Sequence, residues 1–295
     1  MDVDMTALCG WFGISRQAHY QALRRERQRR SQQAQVLALV QQVRCRHPRM
    51  GTRKLQHKLA ADLKAAGIRL GRDRLFEVLR EADLLVKRPR RKRTTMPGLW
   101  RARNLLQEVA VRRPNQAWVS DITYVETEAG YCYLFLVSDL FSRRIMGWTV
   151  SPSLSAEGAL QALHMAFRHA GRLPQGLIHH SNRGIQYTCH DYLHALLAVD
   201  ARSSMGQSGN CYENAFAERI NGILKLEYAL GNCFIDINHV RRTLRDAVLL
   251  YNTDRPHLAL NFQTPMAVYD SHAAGLACQL TTPVYSIDSY STVTH

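Results

Sequence analysis

QAWVSDITYVETEAGYCYLFLVSDLFSRRIMGWTV, residues 116–150, decides the fold. It holds three runs rich in β-branched and aromatic residues: QAWVSDITYV, YCYLFLVSDL and RRIMGWTV. Gly130 sits in the first connection and Phe141 to Arg144 fill the second, so the three runs predict an antiparallel meander. The middle run is almost wholly apolar, as expected of a central strand. Beyond it the period changes. Leu160, Leu163 and Phe167 recur at helical spacing, with Gly171 as a stop. GLIHH then reads as a short strand, HDYLHALLAV as a helix and DARSSM as a brief last strand. After the Gly-rich GQSGN comes a helix over 213–230. Three strands followed by alternating helix and strand predict a mixed α/β sheet with helices on both faces.

Upstream the pattern is all helical and strongly basic. Residues 1–113 hold 27 Lys+Arg against 9 Asp+Glu, a net of +18, while the remaining 182 hold 12 against 15, a net of −3. A basic third joined to a near-neutral remainder points to a polyanion-binding module attached to a separate globular domain. Residues 1–35 carry a helix–turn–helix rhythm, with a short helix ending near Phe12 and Ser15 capping a basic second helix. Residues 36–85 predict three short helices. Leu37, Leu39, Val40 and Val43 mark the first, Leu55, Leu59 and Leu63 the second, and Leu75, Val78 and Leu79 the third. Arg53, Lys54, Lys58, Arg72 and Arg74 are expected on their outer faces, where a helix-turn-helix-like domain meets DNA. In the linker, 86–110, Lys87, Arg88, Arg90, Arg91, Lys92 and Arg93 crowd around Pro89 and would neutralise backbone phosphates.

The seven cysteines are scattered without C-x-x-C pairs, which disfavours structural zinc or a disulfide framework. No signal peptide and no membrane-spanning run is legible, so a cytoplasmic, nucleoid-associated protein is expected, with no membrane partner.

Chemistry concentrates at three places. Asp121 lies within the first core strand, where a buried lone carboxylate is costly unless it is paired or binds a metal. On the 213–230 helix, Asn214, Glu218, Asn221 and Lys225 form a polar stripe beside an inward stripe of Phe216, Ile220 and Ile223. Alone, that stripe reads as a solvated face. The third place is the turn in LIHHSNRGIQYTCHDY, residues 177–192, which ends a strand with Asn182. Exactly 35 residues, 183–217, separate Asn182 from Glu218.

With that spacing, WVSDITYV, HSNRGIQY, NCYENAFAERINGILKLE and YNTDRPHLAL…TP resemble the signature blocks of insertion-sequence transposases. The resemblance is to the catalytic reading frame of the two-frame type, related to retroviral integrases, and it runs from the N-terminal helices to Tyr269. It implies an RNase H-like five-stranded core over 111–270, followed by a tail over 271–295. It also implies an Asp-Asp-Glu triad that falls on Asp121, Asn182 and Glu218, with Lys225 as the basic residue seven positions after the glutamate. Two Mg²⁺ ions, or Mn²⁺ as substitute, are then expected for strand cleavage and transfer. The implied partners are double-stranded DNA, a second copy of the chain and the product of an upstream reading frame.

Asn182 departs from the pattern. An amide keeps one carbonyl oxygen but loses a full negative charge and presents NH₂ donors. Severe impairment is therefore expected, since Asp139 and Asp191 stand at the wrong places in the motif. The other blocks read cleanly, which fits a deliberate Asp→Asn change better than general decay. The rival readings are a noncatalytic DNA-binding regulator on a transposase scaffold and, third, a nonspecific RNase H-like nuclease.

Overall fold

The computed structural model describes residues 9, 11, 13–86, 102–171, 173, 175–206 and 215–273. It divides into two compact units, residues 1–87 and 88–295. The basic cluster from Lys87 to Arg93, Asn214 and the tail from 274 lie outside the described residues.

The first unit is a small all-α body. Ser15 Oγ accepts the Ala18 amide at 3.1 Å and starts α1, Arg16–Arg46. With no glycine or proline in it, α1 runs 31 residues without a break. The division expected between residues 35 and 36 therefore falls inside one helix, a correction to the sequence reading. The helices α2, Thr52–Ala65, and α3, Arg72–Glu81, complete the unit. Val36, Val40, Leu55, Leu59, Leu63, Leu75, Val78 and Leu79 form its core, with Met50 and Ile68.

The second unit is built on a five-stranded sheet of order β3-β2-β1-β4-β5. Its strands are β1, Ala117–Thr127; β2, Gly130–Asp139; β3, Ile145–Ser151; β4, Ile178–Ser181; and β5, Arg202–Met205. The meander β1–β2–β3 is antiparallel, whereas β4 and β5 add in parallel on the other side of β1. This is the RNase H-like order. Between β3 and β4 comes α4, Ala156–Ala170; between β4 and β5 come α5, Ile185–Thr188, and α6, His190–Leu197. After β5 follow α7, Ala215–Glu227, α8, Ile237–Thr253, and α9, Pro265–Ala273.

Strand alternation explains the two cores. Leu134 and Leu136 of β2 pack with Ile220, Ile223 and Leu224 of α7 and with Val240 and Leu244 of α8. Phe135 and Val137, on the opposite face, pack with Ala162, Leu163 and Ala166 of α4 and Leu196 of α6. A strand buried on both faces has no polar positions to alternate, hence the near-continuous apolar run.

Helix α4 approaches the sheet closely at Gly147 of β3. A Cβ there would meet the Ala162 carbonyl and the Ala166 amide of α4, both rigid backbone. Gly147→Ala is expected to lose about 2–3 kcal/mol of stability through forced separation of α4 from the sheet, read by denaturant unfolding. An unchanged midpoint would mean that α4 can shift without penalty.

Candidate functional site

Parallel pairing of β1 with β4 runs only from Ala117↔Ile178 to Ser120↔Ser181. Asp121 and Asn182 are the next residues on each strand. Both are half-buried, and their side chains meet: Asn182 Nδ2 donates to Asp121 Oδ1 at 3.4 Å. The Asn182 Oδ1 accepts the Gly184 amide at 2.9 Å, an Asx-type turn that leads into α5. Arg183 fixes this turn to the end of β5 by donating from Nε to the Gly206 carbonyl at 2.8 Å.

Helix α7 supplies the third side. Asn221, only 6 % exposed, donates from Nδ2 to Asp121 Oδ2 at 2.7 Å. Glu218 lies one turn earlier on α7 and bears electrostatically on Asp121. Lys225, one turn later, places its Nζ 4.2 Å from the centre of the Tyr124 ring. Glu218, Asn221 and Lys225 therefore do not form a solvated face: they lie beside β1 beyond the β4 ladder.

Electrostatics follow from this packing. Burial pushes the Asp121 carboxyl up to about 7, and the Glu218 charge adds to that rise. The Ile122 amide, the Asn221 amide and the Lys225 ammonium oppose it. Burial also lowers the Lys225 ammonium, with Asp121 pulling the other way.

Asp121 and Glu218 are the hard oxygen donors here, suited to one Mg²⁺-like cation. A second such ion finds no carboxylate at 182, where an amide spends its oxygen on Gly184 and turns its NH₂ toward Asp121. Among the described residues no three His, Cys, Asp or Glu side chains group to hold a metal. The residues present fit one cation and not a pair. Neither other acid makes up the difference. Asp139 pairs opposite Trp118 in the register, and its oxygens accept from the Asn115 amide, the Ser142 amide and the Ser142 hydroxyl at 2.6–2.7 Å. Asp191 is exposed beside His190.

The basic residues of the first unit separate. Arg53 is exposed and Lys58 half-buried. Lys54, expected on the outer face, is instead buried, only 8 % exposed, on α2. Arg74 is half-buried and pairs with Glu77 at 2.7 Å, and exposed Arg72 pairs with Asp73 at 2.8 Å.

Two networks had no clear signal in the sequence. Beneath Asp121, the Ser120 and Tyr192 hydroxyls reach His179 Nε2 at 2.7 and 2.9 Å, tying β1, β4 and α6 together. Below α7, Arg255 is 1 % exposed and grips Glu227 through two 2.8 Å bonds, with His257 Nε2 at 2.8 Å from its third nitrogen. Arg255 thus anchors the last turn of α7, and both it and His257 (6 % exposed) are buried.

Two integrase core domain families match the chain, one over residues 111–211 and the other over 199–265. The insertion element IS600 uncharacterized 31 kDa protein of Shigella sonnei is 36% identical over 273 residues, covering 90% of this chain and 98% of that protein. The transposase InsF for insertion sequence IS3A of Escherichia coli (strain K12) is 40% identical over 162 residues, 54% of this chain and 56% of that protein. Among solved structures, the HTLV-2 integrase catalytic core domain in complex with magnesium is 15% identical over 53% of this chain and 97% of that one, with a TM-score of 0.44.

Burial, reinforced by the neighbouring His180, pulls the His179 imidazole down to about 3 from 6.5. An unfolded histidine takes its proton near 6.5 and the folded one does not, so this contribution is complete above 6.5 and is lost as the pH falls toward 3. His179→Gln is expected to flatten the stability–pH curve between about pH 4 and 6 by roughly 1.4 kcal/mol per pH unit. Parallel curves for the two proteins, from chemical denaturation across that range, would show that His179 folds charged.

Proposed function

The chain belongs to the insertion-sequence transposases with an integrase-like core, and on that premise we propose that it binds insertion-sequence ends and carries a strand-cleavage and strand-transfer site impaired by Asn182. The observation that carries this reading is the junction of Asp121 and Asn182 at the end of the β1–β4 ladder, with Glu218 facing Asp121 from α7. A polynucleotidyl transferase needs carboxylates to hold the divalent cations that meet the charge developing on phosphate oxygens.

Asp121 and Glu218 would hold one Mg²⁺, or Mn²⁺ in its place, which when bound would polarise the scissile phosphate as a Lewis acid. Lys225 is placed to meet a non-bridging phosphate oxygen, its ammonium steadied over Tyr124. Asn221 holds the Asp121 carboxylate in one rotamer. Asn182 contributes volume and a hydrogen bond but no charge, and one missing electrostatic group costs about 10²–10³ in rate, a metal ligand more. Joining two ends calls for two sites, hence a dimer or larger assembly on double-stranded DNA, with an upstream reading-frame product as a further partner. The helical unit, Arg53, Lys58 and Arg72 among its exposed or half-buried cations, and the basic linker 86–110 would supply the phosphate contacts. A noncatalytic DNA-binding regulator on the same scaffold is the second reading, favoured by the same amide at 182.

The test compares this chain with Asn182→Asp for Mg²⁺-dependent cleavage and joining of candidate end DNA. Equal DNA binding with turnover restored by at least about 10³-fold in the variant is the expected outcome. Equal turnover would remove position 182 from the site, and binding with no turnover in either would leave the regulator.

A further inference from the structure

The first half of α1 stands out from the unit that it belongs to. Buried positions on this helix begin at Val36, whereas every residue from Arg16 to Gln32 is exposed except half-buried His19. This stretch, RQAHYQALRRERQRR over 16–30, carries six arginines, Arg16, Arg24, Arg25, Arg27, Arg29 and Arg30, against one acid, Glu26. At 3.6 residues per turn, Arg16, Tyr20, Leu23, Arg24, Arg27 and Arg30 fall within an arc of about 120°. Val36, Val40 and Val43, which face the bundle, lie about half a turn away on the same wheel.

An exposed helix of this composition works against itself. Arginines three and four apart repel one another, and the Arg30–Glu26 ion pair, at 2.9 Å, offsets part of this within the stretch. The helix persists because Ser15 caps its start and because it continues a helix packed further on. A line of like charge held about 22 Å long on a rigid rod is matched by a polyanion of regular spacing. Guanidinium forks suit phosphate oxygens, and Tyr20 (51 % exposed) and Leu23 (41 % exposed) on the same arc can lie against the sugar walls of a groove.

We infer that residues 16–30 of α1 form an arm that docks on the phosphate backbone of duplex DNA through Arg16, Arg24, Arg27 and Arg30. The inference rests on the DNA-directed reading above, but it concerns a surface separate in sequence from Arg53, Lys58 and Arg72. It makes DNA contact bipartite within one unit: α2 and α3 at one place, the arm of α1 at another. Because the contacts are to phosphate, they add affinity without sequence preference.

The measurement is fluorescence anisotropy of a duplex of about 20 base pairs and arbitrary sequence, titrated with the full chain at several salt concentrations. The comparison is with the fourfold variant Arg16→Gln, Arg24→Gln, Arg27→Gln and Arg30→Gln. The variant should lower the slope of log K against log salt by about 3 to 4, with its unfolding midpoint unchanged or raised. An unchanged slope overturns the inference. So does a slope change traced to assembly, seen by light scattering when Tyr20→Ser with Leu23→Ser dissociates a multimer and reproduces the loss. The assay is blind to cleavage, so failure of Asn182→Asp to cut DNA would not touch it. An unmodified chain that binds no duplex would instead remove the DNA-directed reading and the arm together.

Discussion

Where the parallel ladder between β1 and β4 stops determines where the chemistry can be. Four residue pairs hold the strands together, and the first residues past the last pair, Asp121 and Asn182, are then neighbours without further design. Beyond that point β1 keeps its antiparallel partner β2 to Thr127, while its other edge has no strand partner among the described residues until the bridge of Thr127 with Phe234, and α7 brings Asn221 and Lys225 against that stretch. A longer β4 would fill that edge with backbone hydrogen bonds. A shorter one would let the two residues drift apart.

The position of α7 is secured from below. Its apolar face sits on Val125, Leu134 and Leu136 of the sheet, and its last turn is held by the buried grip of Arg255 on Glu227. Removing one partner of such a pair strands a buried charge, a penalty of about 3–5 kcal/mol, so the pair acts as a register mark more than as a source of net stability. Tyr251 and Asn252, in the same closing segment, bond the Arg143 carbonyl and both backbone groups of Ile145. The segment YNTDRPH is thus a buckle between α7, α8 and the start of β3.

The strand order of the meander, the helices at 156–170, 190–197 and 215–227 and the 35-residue spacing were legible, because period-2 and period-3.6 patterns survive in a single sequence. The meeting of Asp121 with Asn182 was legible only through the resemblance of the motif blocks, since parallel pairing across sixty-one positions leaves no local trace. The continuity of α1 across residue 35 was missed because its second half has a core-facing stripe and its first half does not, which reads as two elements. Lys54 was misplaced for a related reason: periodicity marks apolar residues inward but does not tell which long cation is buried. Arg255 sits in a Pro-containing turn, a context that says surface, and only tertiary packing buries it.

The amide at 182 also changes what the core asks of its surroundings. Two carboxylates at the end of the ladder would repel each other, and a protein so built would be more stable when divalent cations are abundant, by linkage. With Asn182 donating to Asp121, that repulsion becomes a hydrogen bond. Burial drives the Asp121 carboxyl up to about 7, with the Lys225 ammonium opposing that rise. One source of coupling between the fold and divalent cations is thereby absent from this junction, although the Glu218 charge still bears on Asp121.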